Sequence, residues 1–265
     1  MFKKLSIKPT NLQFKKMLNK TQLLQHYQQD YELINKIKGW CEQARRGQVI
    51  HTDFLDLRKI AILQAILAQE NISNYVIHKP LTNGFRATVS FNTSHDNTVI
   101  LHAKQPTSHF FQHQQVLGFI LNQLQLELRV IGDLYITAND LYLSVLKKIT
   151  PVFVDAPLIV QKNLLIWTIN PAPVVIEYQF TIFTKTVKSL RLDAVVSALC
   201  NVSRQQAQKY VDQNYVYVNF SVVNNKTFQV ACDIIISIKR YGRFKINAIL
   251  PSKNQHYRIT IAKFA

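Results

Sequence analysis

The stretch from residue 191 to residue 219, RLDAVVSALCNVSRQQAQKYVDQNYVYVN, decides how the carboxyl-terminal part of the chain folds. Between Leu192 and Leu199 the apolar residues recur at three- and four-residue spacing, which predicts one helix. The tetrapeptide SRQQ at Ser203 has the pattern of a capping box and predicts a second helix, which ends near Asn214. Tyrosine and valine then alternate over residues 215–218, as in a strand. The expected order is helix, short loop, helix and small sheet.

Two arginines stand at the predicted starts of these helices. Arg191 begins the first helix, and Arg204 follows the cap of the second. The helix dipole disfavours a cation there by about 0.3–1 kcal/mol. The same helix ends bind phosphate well, and a guanidinium adds a two-pronged contact. We therefore predict that both arginines, with Lys209 one turn further on, bind RNA phosphates. The alternative is that both side chains bend back to solvent or to Asp193 and Asp212.

The charge of the chain is unevenly distributed. The 265 residues carry a net charge of +17, and 48% of them are hydrophobic, so the chain can bury a core. Residues 185–265 hold 13 basic and 3 acidic side chains, and residues 1–20 hold six lysines and no acid. Residues 85–184 are balanced. Concentrated positive charge is typical of a protein that binds nucleic acid or an anionic membrane.

Other sequence features argue against several classes of protein, among them membrane-spanning, disulfide-rich and nucleotide-binding proteins. No apolar run approaches the roughly 18 residues of a membrane-spanning helix. The three cysteines are scattered, which argues against a disulfide framework or a structural zinc site and suits the reducing cytoplasm. Glycine-rich nucleotide-binding patterns are absent. We therefore expect a cytoplasmic protein with no membrane partner, no cofactor and no metal. The lysines of residues 1–20 form either an RNA-binding arm or a solvated tail.

The remaining chain predicts mixed helices and strands. Helices are expected at 21–46, near 54–69 behind a Thr52 or Asp53 cap, and at 110–125; strands at 75–78, 85–92, 97–103, 130–137, 141–146 and 174–183. We expect 85–92 to pair with 97–103, and 130–137 with 141–146. The predicted fold class is α+β with three small domains. The proposed segments are a basic extension (1–20), a helical α/β domain (21–84), an RRM-like or ferredoxin-like middle domain (85–184) and a carboxyl-terminal domain (185–265).

Several spaced elements resemble a known RNA-binding module. They are Arg191-Leu192-Asp193, Ser203-Arg204-x-x-Ala207, Val216-x-Val218-Asn219 and Asp233-x-Ile235. Together they resemble the domain named after ribosomal small-subunit protein four, the S-four domain or αL motif. This sequence departs from the usual glycines of that pattern at three turn positions, with Asn214-Tyr215, Phe220 and Ala231-Cys232.

The resemblance extends upstream. Residues 116–136, VLGFILNQLQLELRVIGDLYI, are similar to the YlmH-type family of bacterial proteins, in which an α/β domain and an RRM-like domain precede the S-four domain. The resemblance implies binding to ribosomal RNA or a ribosome-bound tRNA. It also implies an association with the large subunit that carries stalled peptidyl-tRNA, in nascent-chain rescue.

These observations predict a monomeric, non-enzymatic RNA-binding protein. The predicted RNA contacts are Arg191, Ser203, Arg204, Lys209, Lys226, Arg240, Arg243 and Lys245. The alternative is an RNA-modifying enzyme similar to a pseudouridine synthase, in which the S-four domain serves for targeting. That alternative needs a polar cleft around Asp133 or Asp140. Asp193 is interpreted as a first-turn acid that complements the helix dipole.

Overall fold

The structure is a computed structural model that describes residues 31–106, 110–155, 157–252 and 255–264. Its contacts divide the chain into two compact units between Ile176 and Glu177, here called the N-terminal unit and the C-terminal unit. Both units mix helices with sheets, so the predicted α+β class is confirmed. The predicted three-part division is not confirmed by this partition. The extension 1–20 lies outside the described residues.

The first part of the N-terminal unit packs two helices against a small sheet. Its elements are α1 (Tyr31–Arg45), β1 (Ile50–His51), β2 (Leu55–Asp56), α2 (Leu57–Gln69), β3 (Tyr75–His78), β4 (Leu81–Thr82) and β5 (Arg86–Phe91). Strand β5 is central, because β1, β2 and β3 all pair with it in antiparallel register. Apolar residues of α1, α2 and β5, such as Ile37, Leu63 and Val89, form one core. The cap of α2 is Asp56, whose carboxylate accepts the Lys59 N–H at 2.9 Å, so the predicted Thr52 or Asp53 cap is wrong.

A second sheet follows in the same unit. Its elements are β6 (Thr98–Lys104), α3 (His113–Asn122), β7 (Ile131–Ile136), β8 (Asp140–Leu146), α4 (Pro151–Val154), β9 (Leu158–Val160), β10 (Asn163–Leu165), β11 (Thr168–Asn170) and β12 (Val174–Val175). The strand order is β11-β6-β8-β7, with all neighbours antiparallel. Setting aside the β9–β10 hairpin, the chain follows the β-α-β-β-α-β order of ferredoxin-like folds. A second core lies between α3 and this sheet.

Two predicted strand assignments are wrong. Strand β5 pairs with β1 to β3 and not with β6. Its side chains from Ala87 to Phe91 are buried, so both faces of β5 are covered. The predicted strand 174–183 is interrupted: β12 pairs with β4 in the N-terminal unit, and the following strand belongs to the C-terminal unit. The predicted hairpin of 130–137 with 141–146 is confirmed by β7 and β8.

The C-terminal unit packs two helices on one antiparallel sheet. Its elements are β13 (Phe180–Val187), α5 (Leu192–Cys200), α6 (Arg204–Asp212), β14 (Val216–Val218), β15 (Ser221–Val222), β16 (Ile235–Ile238), β17 (Gly242–Ser252) and β18 (His256–Phe264). The strand order is β13-β18-β17-β16-β14-β15. The predicted order of helix, loop, helix and sheet is thus confirmed. The core lies between the helices and one face of the sheet, and Val195, Val211, Phe244 and Ile261 belong to it.

Candidate nucleic-acid interface

Local sequence signals set the ends of α5 and α6. Asn201 ends α5 in the left-handed conformation with φ 54°, which asparagine tolerates better than most residues. The Ser203 hydroxyl then accepts the Gln206 N–H at 3.2 Å and caps α6, as the capping-box pattern predicts. Only two residues, Asn201 and Val202, separate α5 from this cap. This short loop joins the last turn of α5 to the first turn of α6. The hydrogen bond from Arg204 to Asp193 shows that the first turns of both helices also meet.

The Asp193 carboxylate lies where these turns meet and is fully buried, at 0% exposure. Arg191 donates to it through Nε and Nη2, both at 3.2 Å. Arg204 donates through Nε at 3.0 Å and Nη2 at 3.2 Å. Gln208, one turn along α6, donates its amide N–H at 2.9 Å. One carboxylate thus holds two guanidiniums and an amide; we call these four side chains the Asp193 cluster.

The electrostatics of the Asp193 cluster favour its charged form. Burial by itself raises the pKa of the Asp193 carboxyl, but the hydrogen bonds from Arg191, Arg204 and Gln208 outweigh burial and hold that pKa well below its usual range. Two guanidiniums against one carboxylate leave a net positive charge. The arginine side chains stay 34% and 52% exposed, while the carboxylate between them is shielded from solvent. The cluster therefore presents positive charge outward.

The segment around Lys226 completes this side of the unit. The Asp193 N–H donates to the Lys226 carbonyl at 3.2 Å, and the Leu192 N–H donates to the Phe228 carbonyl at 2.8 Å. These bonds satisfy two backbone donors at the start of α5. The Lys226 ammonium reaches the Asp212 carboxylate at the end of α6, at 2.8 Å. Lys226 therefore lies beside the Asp193 cluster, and we call this side of the unit the helix side.

The predicted contacts on the helix side are placed as follows. Arg191 and Arg204 adopt the alternative arrangement, in which both bend back to Asp193. Asp193 is therefore the centre of an ion cluster rather than only a first-turn acid. Lys209 is exposed and follows Gln208 on α6. The Ser203 hydroxyl is engaged in the helix cap.

Three other predicted contacts lie elsewhere. Arg243 and Lys245 alternate along β17 with Phe244 and Ile246, which are buried under the helices. Because successive side chains of a strand point to opposite faces, both cations belong to the face of the sheet away from α5 and α6. Arg240 is in the turn between β16 and β17 with φ 71°. The structure therefore separates the predicted set into two surfaces.

Sequence reasoning missed Gln208 as a member of the cluster. Gln208 is four residues after Arg204, so both lie on one face of α6. That spacing, with an acid two residues after Arg191, is the signal that could have identified the cluster. The shared acceptor itself required the structure.

The two acids proposed for an enzymatic site are engaged in internal bonds. Asp133 accepts the Arg86 backbone N–H at 2.9 Å. Asp140 accepts from the Lys104 ammonium at 2.7 Å and lies 2.7 Å from the His102 ring. These contacts hold strands together and give the enzyme alternative no support. Among the described residues, no group of His, Cys, Asp or Glu is arranged to hold a metal ion, and no helix is long and apolar enough to cross a membrane.

Comparisons with known proteins bear on the same segment. A family model described as S4 domain matches residues 190–231. This is the S-four domain that the sequence resembles. The chain is 37% identical over 79 residues to the ribosome-associated protein quality control protein P2 of Bacillus subtilis (strain 168). That match covers 29% of this chain and 31% of the relative, so the chain spans about a third of the curated relative it matches.

A solved structure, the cell division protein ylmH from Streptococcus pneumoniae, is similar at a TM-score of 0.47 and 12% identity. The matched region covers 54% of this chain and 92% of the Streptococcus pneumoniae chain. The family model matches the segment that holds the whole Asp193 cluster and Lys226. The C-terminal unit therefore contains an S4 domain, and the predicted resemblance to the S-four domain is confirmed there.

Proposed function

We propose that this protein is a cytoplasmic, monomeric, non-enzymatic RNA-binding protein whose S4 domain grips folded RNA. The proposed ligand is ribosomal RNA or a ribosome-bound tRNA, on a large subunit that carries stalled peptidyl-tRNA. The match of residues 190–231 to the S4 domain supports RNA as the ligand class. The similarity to a ribosome-associated quality control protein supports the ribosome as the partner.

The observation that carries this proposal is the Asp193 cluster. A free arginine side chain loses rotamer freedom when it binds a phosphate, which costs up to about 2 kcal/mol. Asp193 has already fixed two guanidiniums in place through their Nε and Nη2 atoms. Their Nη1 groups are not used by Asp193, and a guanidinium carries five N–H donors in total. The carboxylate thus organises two cations toward one ligand while leaving donors for phosphate oxygens.

The surrounding charges extend the same surface. The Lys226 backbone lies beside the cluster and its ammonium reaches Asp212 at the end of α6. Lys209 is exposed on the same helix. With Arg191 and Arg204 they form a set of four cations on the helix side. Four phosphate contacts predict that log affinity falls against log salt with a slope of about −3, at about −0.7 per contact. An RNA-binding surface of this kind reads backbone shape rather than base sequence.

The test compares two matched charge reversals in the full chain. Lys209→Glu changes an exposed residue of the helix side, and Lys38→Glu makes the same change on the exposed side of α1. Neither residue has an ion pair in the described part of the chain, so both variants should fold. We expect Lys209→Glu to weaken cosedimentation with ribosomes and to reduce the salt slope by about 1, and Lys38→Glu to do neither. Equal behaviour of the two variants would contradict the proposal.

The identity of the RNA needs a separate measurement. Crosslinking the bound RNA in cells and sequencing it should recover large-subunit ribosomal RNA or tRNA. Recovery of messenger RNA alone would contradict the ribosome as the partner, while leaving RNA binding intact.

A further inference from the structure

Arginine and aromatic side chains share the face of the S4-domain sheet that points away from α5 and α6, here called the outer face. Arg243 is opposite Ser237, and Ser237 is opposite Tyr217, so their side chains project from this face. The Arg243 guanidinium lies 5.5 Å from the ring centroid of Phe220 and 5.7 Å from that of Phe264. Distances below about 6 Å allow a cation–π interaction. The outer face therefore holds a guanidinium over two rings.

Phe220 is an unusual residue for its backbone conformation, which has a positive φ. Asn219 and Phe220 form the two-residue turn between β14 and β15, with φ 47° and 69°. Turns with positive φ at both positions favour asparagine followed by glycine, because a Cβ is strained at the second position. This chain places a phenyl ring there and keeps it half-exposed. The second turn position therefore carries an aromatic side chain although its backbone conformation favours glycine.

More rings continue this surface toward the sheet edge. Phe180 is directly opposite Phe264, and their ring centroids are 4.9 Å apart. Tyr178 packs edge-on against Phe264 at 5.3 Å. All three rings are half-buried, and Tyr217 is 38% exposed. Several rings on the outer face thus keep part of their surface exposed.

We propose that the outer face is a second RNA-binding surface, which stacks unpaired bases on Phe220 and Phe264 while Arg243 contacts the backbone. Aromatic rings stack on any base, and unpaired nucleotides are bound in this way on other sheets. Charge favours RNA over an apolar protein partner, because residues 185–265 carry 13 basic and 3 acidic side chains. The exposed Arg258 projects from the same face further along β18, while Lys245 is paired with Asp233 at 3.4 Å. The choice of RNA rests on the proposed function, but the surface is a different one from the helix side.

The test uses a single-stranded oligouridine that contains one 2-aminopurine, whose fluorescence is quenched by stacking, and the full chain. Phe220→Gly removes the ring and also relieves the strained backbone, so this variant should fold at least as well as the parent. Phe264→Leu removes the second ring and keeps an apolar side chain. Loss of one stacked base should weaken oligonucleotide binding by about 5- to 100-fold and reduce the quenching. Lys38→Glu, on the exposed side of α1 and outside both proposed RNA surfaces, should leave the quenching unchanged.

The outcomes separate this inference from the proposed function. If the folded Phe220→Gly and Phe264→Leu variants bind and quench like the parent, the outer face does not stack bases and the inference is overturned. The same holds if the parent cosediments with ribosomes but does not bind the oligonucleotide. If the parent binds and quenches the oligonucleotide through Phe220 but shows no affinity for ribosomes or folded RNA, the outer-face proposal stands and the proposed function fails.

Discussion

Each unit of this protein contains a polar cluster around one buried acceptor, and the two clusters differ in how their charges are arranged. In the C-terminal unit, the Asp193 carboxylate accepts from two guanidiniums, so opposite charges meet. In the N-terminal unit, Ser90 is 1% exposed, and its hydroxyl oxygen lies within 3.0 Å of two imidazoles. Opposite charges attract at neutral pH, whereas imidazoles repel one another once they are protonated. The two units should therefore respond differently to acid.

The Ser90 cluster consists of histidines from three segments. His51 Nδ1 lies 2.8 Å from the Ser90 oxygen, and His78 Nε2 lies 3.0 Å from it. The hydroxyl donates to the His95 carbonyl at 3.0 Å. Because a hydroxyl has one proton, both imidazoles must donate to the Ser90 oxygen. This arrangement selects the Nδ1–H form of neutral His51.

Nearby charges oppose a proton on His51. Burial lowers the pKa of His51, and the His95 and His78 rings and the Lys147 ammonium lower it further, against the opposing effect of Asp96. The Lys147 ammonium is 3.2 Å from His95 Nε2, and Asp96 is 3.8 Å from His78 Nδ1. One carboxylate thus faces three imidazoles and an ammonium. The Asp193 cluster stabilises its unit through the attraction of opposite charges. The Ser90 cluster stabilises its unit only while its imidazoles are neutral.

The largest expected effect comes from leaving Asp193 unpaired. Replacing both Arg191 and Arg204 by methionine leaves a fully buried carboxylate without a cation, which should destabilise the C-terminal unit by about 3–5 kcal/mol. Both tryptophans, Trp40 and Trp167, belong to the N-terminal unit, so hydrogen exchange over residues 177–264 is the measurement. Adding Asp193→Asn should restore part of the stability, because no charge is then buried alone. No recovery in the triple variant would mean that charge is not what the cluster contributes.

A smaller effect tests whether the N-terminal unit unfolds separately. A Cβ on Gly132 would lie 2.1 Å from the Ser144 hydroxyl and 2.6 Å from the Phe54 ring. We expect Gly132→Ala to lower the stability of this unit by about 1–3 kcal/mol, measured by tryptophan fluorescence in urea. The matched control is Gly39→Ala in α1, where a Cβ meets nothing within 4 Å and should stabilise the helix by about 0.5–1 kcal/mol. If Gly132→Ala also lowered exchange protection of residues 177–264, the two units would not be independent.

The effect of pH tests the comparison directly. The folded pKa of His51 is lowered from 6.5, so the unfolded chain binds more protons below that pH and the N-terminal unit loses stability as pH falls. The folded pKa of Asp193 is lowered from 3.8, so its contribution is present above that value and is lost only in stronger acid. Between about pH 7.5 and about pH 5.5, the urea concentration at the midpoint of fluorescence-detected unfolding should fall. The protection of residues 177–264 against hydrogen exchange should not fall over the same range. His51→Gln should reduce the loss, and an equal loss in both units would contradict the comparison.

The smallest expected effect concerns an exposed pair. Lys226 and Asp212 are 2.8 Å apart, but their side chains are 38% and 51% exposed. Lys226→Met should therefore change the stability of the C-terminal unit by less than about 1 kcal/mol. Ribosome cosedimentation should nevertheless weaken if Lys226 contacts phosphate. A large loss of stability would mean that this pair is part of the Asp193 cluster rather than a surface contact.

The sequence predicted the elements of the C-terminal unit better than the strand pairing of the N-terminal unit, and the reason is physical. The cap at Ser203 and the stripe from Leu192 to Leu199 involve residues within one or two helical turns, so their pattern can be read directly. The partners of β5 cannot be read in this way, because β1 and β3 are separated from β5 by up to about 40 residues and several strands compete for it. The predicted β5–β6 hairpin failed because proximity along the chain was taken for pairing.

By itself, the amino-acid sequence determined the order of elements in the S4 domain and the concentration of positive charge at the carboxyl end. Hydrophobic periodicity, helix caps and net charge are properties of neighbouring residues or of composition, and they survive without knowledge of the fold. Only the tertiary structure decided that Arg191 and Arg204 share the Asp193 carboxylate and that Arg243 faces the opposite side of the sheet. Burial makes that difference, because a carboxylate removed from water must find its partners among whichever side chains the fold brings within reach.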